Sequence, residues 1–193
     1  MIKTTDMLLE DLRDYANPKA KLSRMVKKGE YFQIAKGLYE NDRSVPGYLL
    51  AGSIYGPSYI SFEYALGYYG MIPEAVHMIT SATFEKKKKK KYETFFGTFT
   101  YRDVPSSVFP LEIRMVQEGE YFYRIAEPEK ALCDTLYTIS PVKNTAELSV
   151  LLADDLRIEE SELMKLDTKK IRYLSERYHT TNIKKLEILL RRL

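Results

Sequence analysis

Cysteine, histidine and tryptophan are almost missing from this chain of 193 residues, which has one cysteine, two histidines and no tryptophan. A lone cysteine forbids an internal disulfide and any cysteine-rich zinc site. Cys133, between Leu132 and Asp134 in a helical pattern, reads as a small buried apolar residue. His77 and His179 stand far apart without ligand spacing, so zinc chemistry and cysteine or serine nucleophiles have no base or ligand set to use. No run reaches the roughly 18 apolar residues of a membrane span, and Met1-Ile2-Lys3-Thr4-Thr5-Asp6 has no apolar stretch of signal-peptide length. These absences read as a cytoplasmic protein with no metal, no cofactor and no membrane partner.

Acids are missing from one segment in particular. Between Asn17 and Gly29 there are none, while Lys19, Lys21, Arg24, Lys27 and Lys28 all fall there, with Ser23 among them. Pro18 suits a first helical position and Gly29 a C-terminal cap, so the spacing predicts a helix with Leu22, Met25 and Val26 on one face and the basic residues on the others. A short basic hairpin follows, Tyr31 to Tyr39, carrying Lys36. From Asn17 to Tyr39 six basic residues face the single acid Glu30, a local excess of five charges on a chain whose net charge is +3. Ahead of it Thr4-Thr5-Asp6 can cap a helix carrying Met7, Leu8, Leu12 and Tyr15 at helical spacing. Helix, turn, basic helix and hairpin in that order describe a winged helix-turn-helix, with Lys19, Lys21, Ser23, Arg24, Lys27, Lys28 and Lys36 as the DNA-binding residues. A merely solvated basic face is the alternative.

Turn formers fill Asn41-Asp42-Arg43-Ser44-Val45-Pro46-Gly47, which places a domain boundary there, giving a DNA-binding domain over 1–44 and a second domain over 45–193. In the second, Tyr48 to Tyr55 and Phe62 to Tyr69 read as helices. Val76 to Phe84, Tyr92 to Tyr101, Val108 to Val116 and Tyr121 to Ile125 read as strands of an antiparallel sheet, and Glu129 to Ile139 reads as a helix opened by Pro128. From Thr145 onward the pattern is helical. The fold expected is α+β. Sixteen tyrosines, six of them between Tyr48 and Tyr69, read as packing residues with hydroxyls reaching the surface.

Lys86 to Lys91 are six consecutive lysines between two expected strands, read as a solvated hairpin loop and as candidate phosphate contacts. The run alone decides the sign of the net charge. Asp167 to Leu193, with eight basic and three acidic residues, reads as a second basic surface. In Glu127-Pro128-Glu129-Lys130 the acids suit a helix N-terminus, and Lys130 and Asp134 stand one turn apart as an ion pair.

Three segments together resemble the AbiEi family of antitoxins from type IV toxin–antitoxin systems. They are the basic helix and hairpin ending Lys36-Gly37-Leu38-Tyr39; Tyr59-Ile60-Ser61-Phe62-Glu63-Tyr64-Ala65-Leu66-Gly67-Tyr68-Tyr69-Gly70-Met71-Ile72-Pro73, with Phe96-Gly97-Thr98-Phe99-Thr100-Tyr101-Arg102 further on; and Ile125-Ala126-Glu127-Pro128-Glu129-Lys130-Ala131-Leu132-Cys133-Asp134. The resemblance implies an N-terminal winged helix-turn-helix that binds the promoter of its own operon as a repressor. It also implies a larger C-terminal domain that counters a nucleotidyltransferase toxin, in a system of phage defence by abortive infection. The chain departs from the pattern in having one helix before the basic helix where a full winged domain has two.

Enzyme readings find little. Gly52-Ser53 resembles the start of a nucleotidyltransferase site, but no pair of metal-binding carboxylates follows about ten residues on. Asp103 with Glu112-Ile113-Arg114 approximates a restriction-like nuclease, with arginine where lysine is expected. A stand-alone transcriptional regulator with a small-molecule sensor domain is the remaining alternative. The expectation is therefore a non-enzymatic protein with promoter DNA and a cognate toxin as partners.

Overall fold

In the computed structural model, which describes residues 1–193, the buried apolar side chains fall into two groups of unequal size. The small one is Leu8, Leu12 and Leu22; the large one has 37 members, of which only Ile34 precedes Val45. The first 44 residues hold β1 (Lys3–Thr4), α1 (Thr5–Asp11), α2 (Pro18–Lys27), β2 (Phe32–Ala35) and β3 (Leu38–Glu40). Side-chain caps start both helices: Thr4 accepts the Met7 N–H and Asn17 the Ala20 N–H. The three strands form one antiparallel sheet in the order β1-β3-β2. Leu8 and Leu12 face Leu22 as the spacing predicts, whereas Met7, on the outer side of α1, and Tyr15, beyond its end, are about half exposed.

A turn of 3-10 helix (Gly47–Leu50) runs into α3 (Ala51–Ile54), followed by β4 (Tyr59–Ile60), α4 (Phe62–Tyr68), β5 (Ile79–Thr83), β6 (Lys90–Thr94), β7 (Gly97–Asp103), β8 (Ile113–Glu118) and β9 (Tyr121–Ala126). The six strands from β4 to β9 form a sheet in the order β6-β7-β5-β4-β9-β8, so β6 and β8 are its edges. The sheet is mixed, which corrects the antiparallel one expected: β5 pairs with β7, and β4 with β9, in parallel. The cause is that the chain leaves β5, makes the β6–β7 hairpin beyond it and returns with β7 against β5. The alternation along one strand carries no information on the direction of its neighbour.

The stretch expected as one strand from Tyr92 to Tyr101 is that hairpin, turning at Phe95-Phe96 with Gly97 at φ +124°. Pro105 to Leu111 is turn, leaving β8 to start at Ile113, and Tyr59-Ile60 forms the short strand β4 that leads through Ser61 into α4. The lysine run is not a simple hairpin loop either. Its last two residues open β6, and its two flanking strands are separated by β7.

Helix α5 (Pro128–Thr138) packs against β9, α4 and two of the C-terminal helices, α8 (Thr168–Tyr178) and α9 (Thr181–Leu190). These follow α6 (Thr145–Val150), a π-helical turn (Leu151–Asp155) and α7 (Glu160–Leu163). Every residue of α5 from Glu129 to Leu136 is buried, so this helix is enclosed on all sides. No helix is long and apolar enough to cross a membrane.

The two parts of the chain meet at a defined seam. Phe32 on β2 stacks on Phe95 at 4.6 Å between ring centroids, and Arg43 lies over the other side of this turn, 5.2 Å from the Phe95 ring. The Tyr121 hydroxyl donates to the buried Glu40 carboxylate at 2.8 Å. Gly47 lies where the segment passes the β6–β7 turn: a Cβ there would come within 2.3 Å of the Phe96 carbonyl oxygen, so only glycine fits.

Candidate nucleic-acid interface

Leu22 anchors α2 against α1, and this fixes which way the remaining residues point. With one turn per 3.6 residues, Lys19, Ser23 and Lys27 form one row and Arg24 and Lys28 the next, all exposed. Lys19, Ser23 and Lys27 edge a groove of about 370 Å³ between α2 and the β2–β3 hairpin, with Gln33 on its far wall. Lys36 is exposed at the hairpin tip beside Gly37, whose φ of +81° makes the tight reversal. Lys21, three residues before Arg24 and seven before Lys28, continues their row, and its ammonium sits over the Tyr15 ring at 4.9 Å. Ion pairs in the first 44 residues are Met1 with Glu40, Lys3 with Asp11 and Arg13 with Glu10, so no cation of α2 or of the hairpin is neutralised by a carboxylate. Such a face repels itself and favours a polyanion.

The lysine run does not act as one surface. Lys86 donates to the Gly56 carbonyl at 3.2 Å and lies over the Tyr55 ring. Lys87 is pinned by its backbone N–H to the Asp103 carboxylate, and Lys91 pairs with Glu93 at 2.6 Å. Lys88, Lys89 and Lys90 are exposed. The C-terminal stretch is more nearly neutral than its composition suggests. Lys170 is held by Glu112 and Glu127, Arg172 and Arg177 reach Glu176, and Arg191 reaches Glu187. The pairing with Glu127 holds the Lys170 ammonium well above its ordinary pKa.

The acids of the nuclease pattern do not meet. Asp103 ends β7 and Glu112 precedes β8, four ladder spacings apart and so about 19 Å at about 4.8 Å each. Asp103 is occupied by the Thr83 hydroxyl and Glu112 by Lys170. No group of three or more His, Cys, Asp or Glu side chains is arranged to hold a metal ion. His77 is exposed, and His179 is the left-handed residue that ends α8. Cys133 is fully buried, and burial pushes its thiol pKa far up, away from reactivity.

Lys130 and Asp134 do pair, at 3.0 Å, but in the core rather than at the surface, since neither side chain has any exposure. Asp134 also accepts from the Tyr59 hydroxyl at 2.9 Å, the Ser61 hydroxyl at 2.6 Å and the Tyr178 hydroxyl, while Lys130 donates to Tyr178 as well. Burial lowers the Lys130 pKa against the pull of Asp134, and burial with the Asp134 charge drives both tyrosines well above theirs. One network thus ties β4, α5 and α8 together, and the hydroxyls of Tyr59 and Tyr178 end inside the protein rather than at its surface.

A feature that sequence patterning did not single out lies between α4 and the sheet. Arg102 on β7 pairs with Glu63 on α4 and stacks over the Phe62 ring at 3.9 Å. Only the alternation of β7, which puts Thr98, Thr100 and Arg102 on one face, hinted at it. No protein-family model matches the chain, and no curated protein matches it in sequence.

Proposed function

We propose that the chain is a DNA-binding regulator that docks α2 and the β2–β3 hairpin on duplex DNA in the manner of a winged helix-turn-helix, as the repressor and antitoxin of a toxin–antitoxin pair. The observation that carries the DNA-binding part is the arc of Lys19, Ser23, Arg24, Lys27 and Lys28 on one helix. All are exposed and none is paired, with Lys36 at the tip of the adjacent hairpin. A helix of this length enters a major groove, its rear face held by Leu8, Leu12 and Leu22, while a hairpin beside it reaches the neighbouring phosphates. The antitoxin part rests on the three-segment resemblance to AbiEi proteins and names a nucleotidyltransferase toxin as the functional partner.

The test is a gel-shift titration at fixed salt with the DNA upstream of the chain's own reading frame. Arg24→Ala with Lys28→Ala is expected to weaken binding by about 1–3 kcal/mol for each side chain that reads a base edge, with the fold intact because both side chains are exposed. Unchanged affinity overturns the reading. The antitoxin part is tested by growth of cells expressing the neighbouring reading frame: rescue by the full chain supports it, and a harmless neighbour leaves a stand-alone regulator.

A further inference from the structure

A groove of about 480 Å³ lies between α4 and the sheet, within the range of small-molecule sites. Its floor is one face of three adjacent strands. Register places Lys91, Thr100 and Thr80 side by side across β6, β7 and β5, and Arg102 lies on the same face one rung along β7. Lys89, the residue just ahead of β6, lines the same groove two positions before Lys91, so the two can meet separate phosphates. Opposite the cations, Val76 and Met78 form an apolar wall, and Met78 is 42% exposed. Glu63 lines the groove, and its carboxylate takes Arg102 and, with the Phe62 ring beneath the guanidinium, fixes its direction, while Glu93 on β6 pairs with Lys91 at 2.6 Å, an exposed pair that a phosphate would have to displace. Phe62 is itself a bulky residue in the left-handed region at φ +56°, a conformation held only where the surroundings enforce it.

We propose that this groove binds a nucleoside di- or triphosphate, with Lys89, Lys91 and Arg102 against the phosphates and Val76 and Met78 against the base. The groove shares no residue with α2 or the β2–β3 hairpin, but Lys89 and Lys91 belong to the lysine run also read as meeting DNA phosphates, so the nucleotide and a nucleic-acid backbone compete for the same cations. Separate cations suit a chain of phosphates better than a lone one. The volume exceeds what an inorganic anion fills. An apolar wall facing a cationic one suits a ligand that is charged at one end and flat and apolar at the other.

The experiment is fluorescence titration of the full chain with N-methylanthraniloyl-ATP and N-methylanthraniloyl-GTP, followed by displacement with unlabelled nucleotide. Saturable one-site binding is expected. Lys89→Ser with Lys91→Ser, and separately Met78→Glu, should each weaken it by about tenfold or more, as expected for removing a charge-assisted hydrogen bond or burying a like charge. Lys169→Ser with Lys184→Ser removes the same charge from exposed positions outside the groove and should change affinity by less than about twofold. Absence of saturable binding overturns the proposal, and so does equal weakening by the two lysine pairs, which would reduce the effect to net charge. Inorganic triphosphate displacing the label as well as ATP does would remove the base from the site. A short oligonucleotide displacing it at lower total phosphate would assign the groove to a polymer backbone, and either result overturns the nucleotide.

Discussion

At the scale of single residues, Lys130 and Asp134 show how an ordinary helical ion pair becomes a constraint on the whole core. At the surface such a pair contributes a few tenths of a kcal/mol. Fully enclosed, the pair acts through what happens when it is broken, about 3–5 kcal/mol when one charge is stranded. The two partners are not equivalent. Asp134 retains three hydroxyl donors if Lys130 is removed, whereas Lys130 retains only the Tyr178 oxygen if Asp134 is removed. Lys130→Met is therefore expected near the lower end of that range and Asp134→Leu near the upper end, with the double replacement costing less than the two singles added. Urea midpoints at unchanged slope measure all three. A larger loss for Lys130→Met than for Asp134→Leu would mean that the hydroxyls do not stabilise the carboxylate.

At the scale of elements, what was legible in the sequence was whatever depends on near neighbours. Pro18 and Asn17 mark the start of α2, Pro128 the start of α5, and the alternation of Tyr121 to Ile125 marks β9, and each stands within a residue or so of its expected place. What was illegible depends on distant partners. Parallel pairing of β5 with β7 and of β4 with β9 follows from the path of the chain, not from any pattern within a strand. The burial of α5 on every side follows from the arrival of α8 and α9 some 40 residues later. The basic arc of α2 was readable residue by residue, because charge and helical period are local quantities. The groove beside α4 was not, since Glu63, Met78, Lys91 and Arg102 come from four parts of the chain.

The same distinction governs the lysine run. Spread over a loop and both sides of β6, with Lys86 and Lys91 partly engaged, it has no fixed array with which to read bases. Replacing all six with serine is expected to lower the slope of log affinity against log salt by about 0.9 for each phosphate no longer neutralised, leaving the preference for operator over random DNA unchanged. Gel shifts across a salt series check it, and a collapse of preference would assign base contacts to the run.

At the scale of the whole molecule, the two cores predict unequal independence. A fragment beginning at Val45 keeps every member of the large core except Ile34, while residues 1–44 keep a cluster of three buried leucines, too few to offset chain entropy. The longer fragment is expected to unfold cooperatively on its own and the shorter one to show little helix by circular dichroism. If the toxin is neutralised by the larger part, the fragment from Val45 rescues growth without binding DNA; a folded fragment that fails to rescue would place that activity in the intact chain. The seam at Phe32, Phe95 and Glu40 then sets how firmly the DNA-binding end is carried.

The position of β6 has a consequence for how these molecules treat one another. An outer strand with a free side invites a strand of another copy to join it, which is the first step towards aggregation. Here that strand opens with Lys90 and Lys91 and is preceded by four more lysines, so two copies approaching edge to edge bring like charges together before any backbone bond forms. At the opposite edge β8 presents Met115, 65% exposed, with no comparable barrier. Removing the lysines for the sake of a salt experiment therefore also unlocks the guarded end of the sheet, and the serine variant is the form of this protein that needs the most dilute handling.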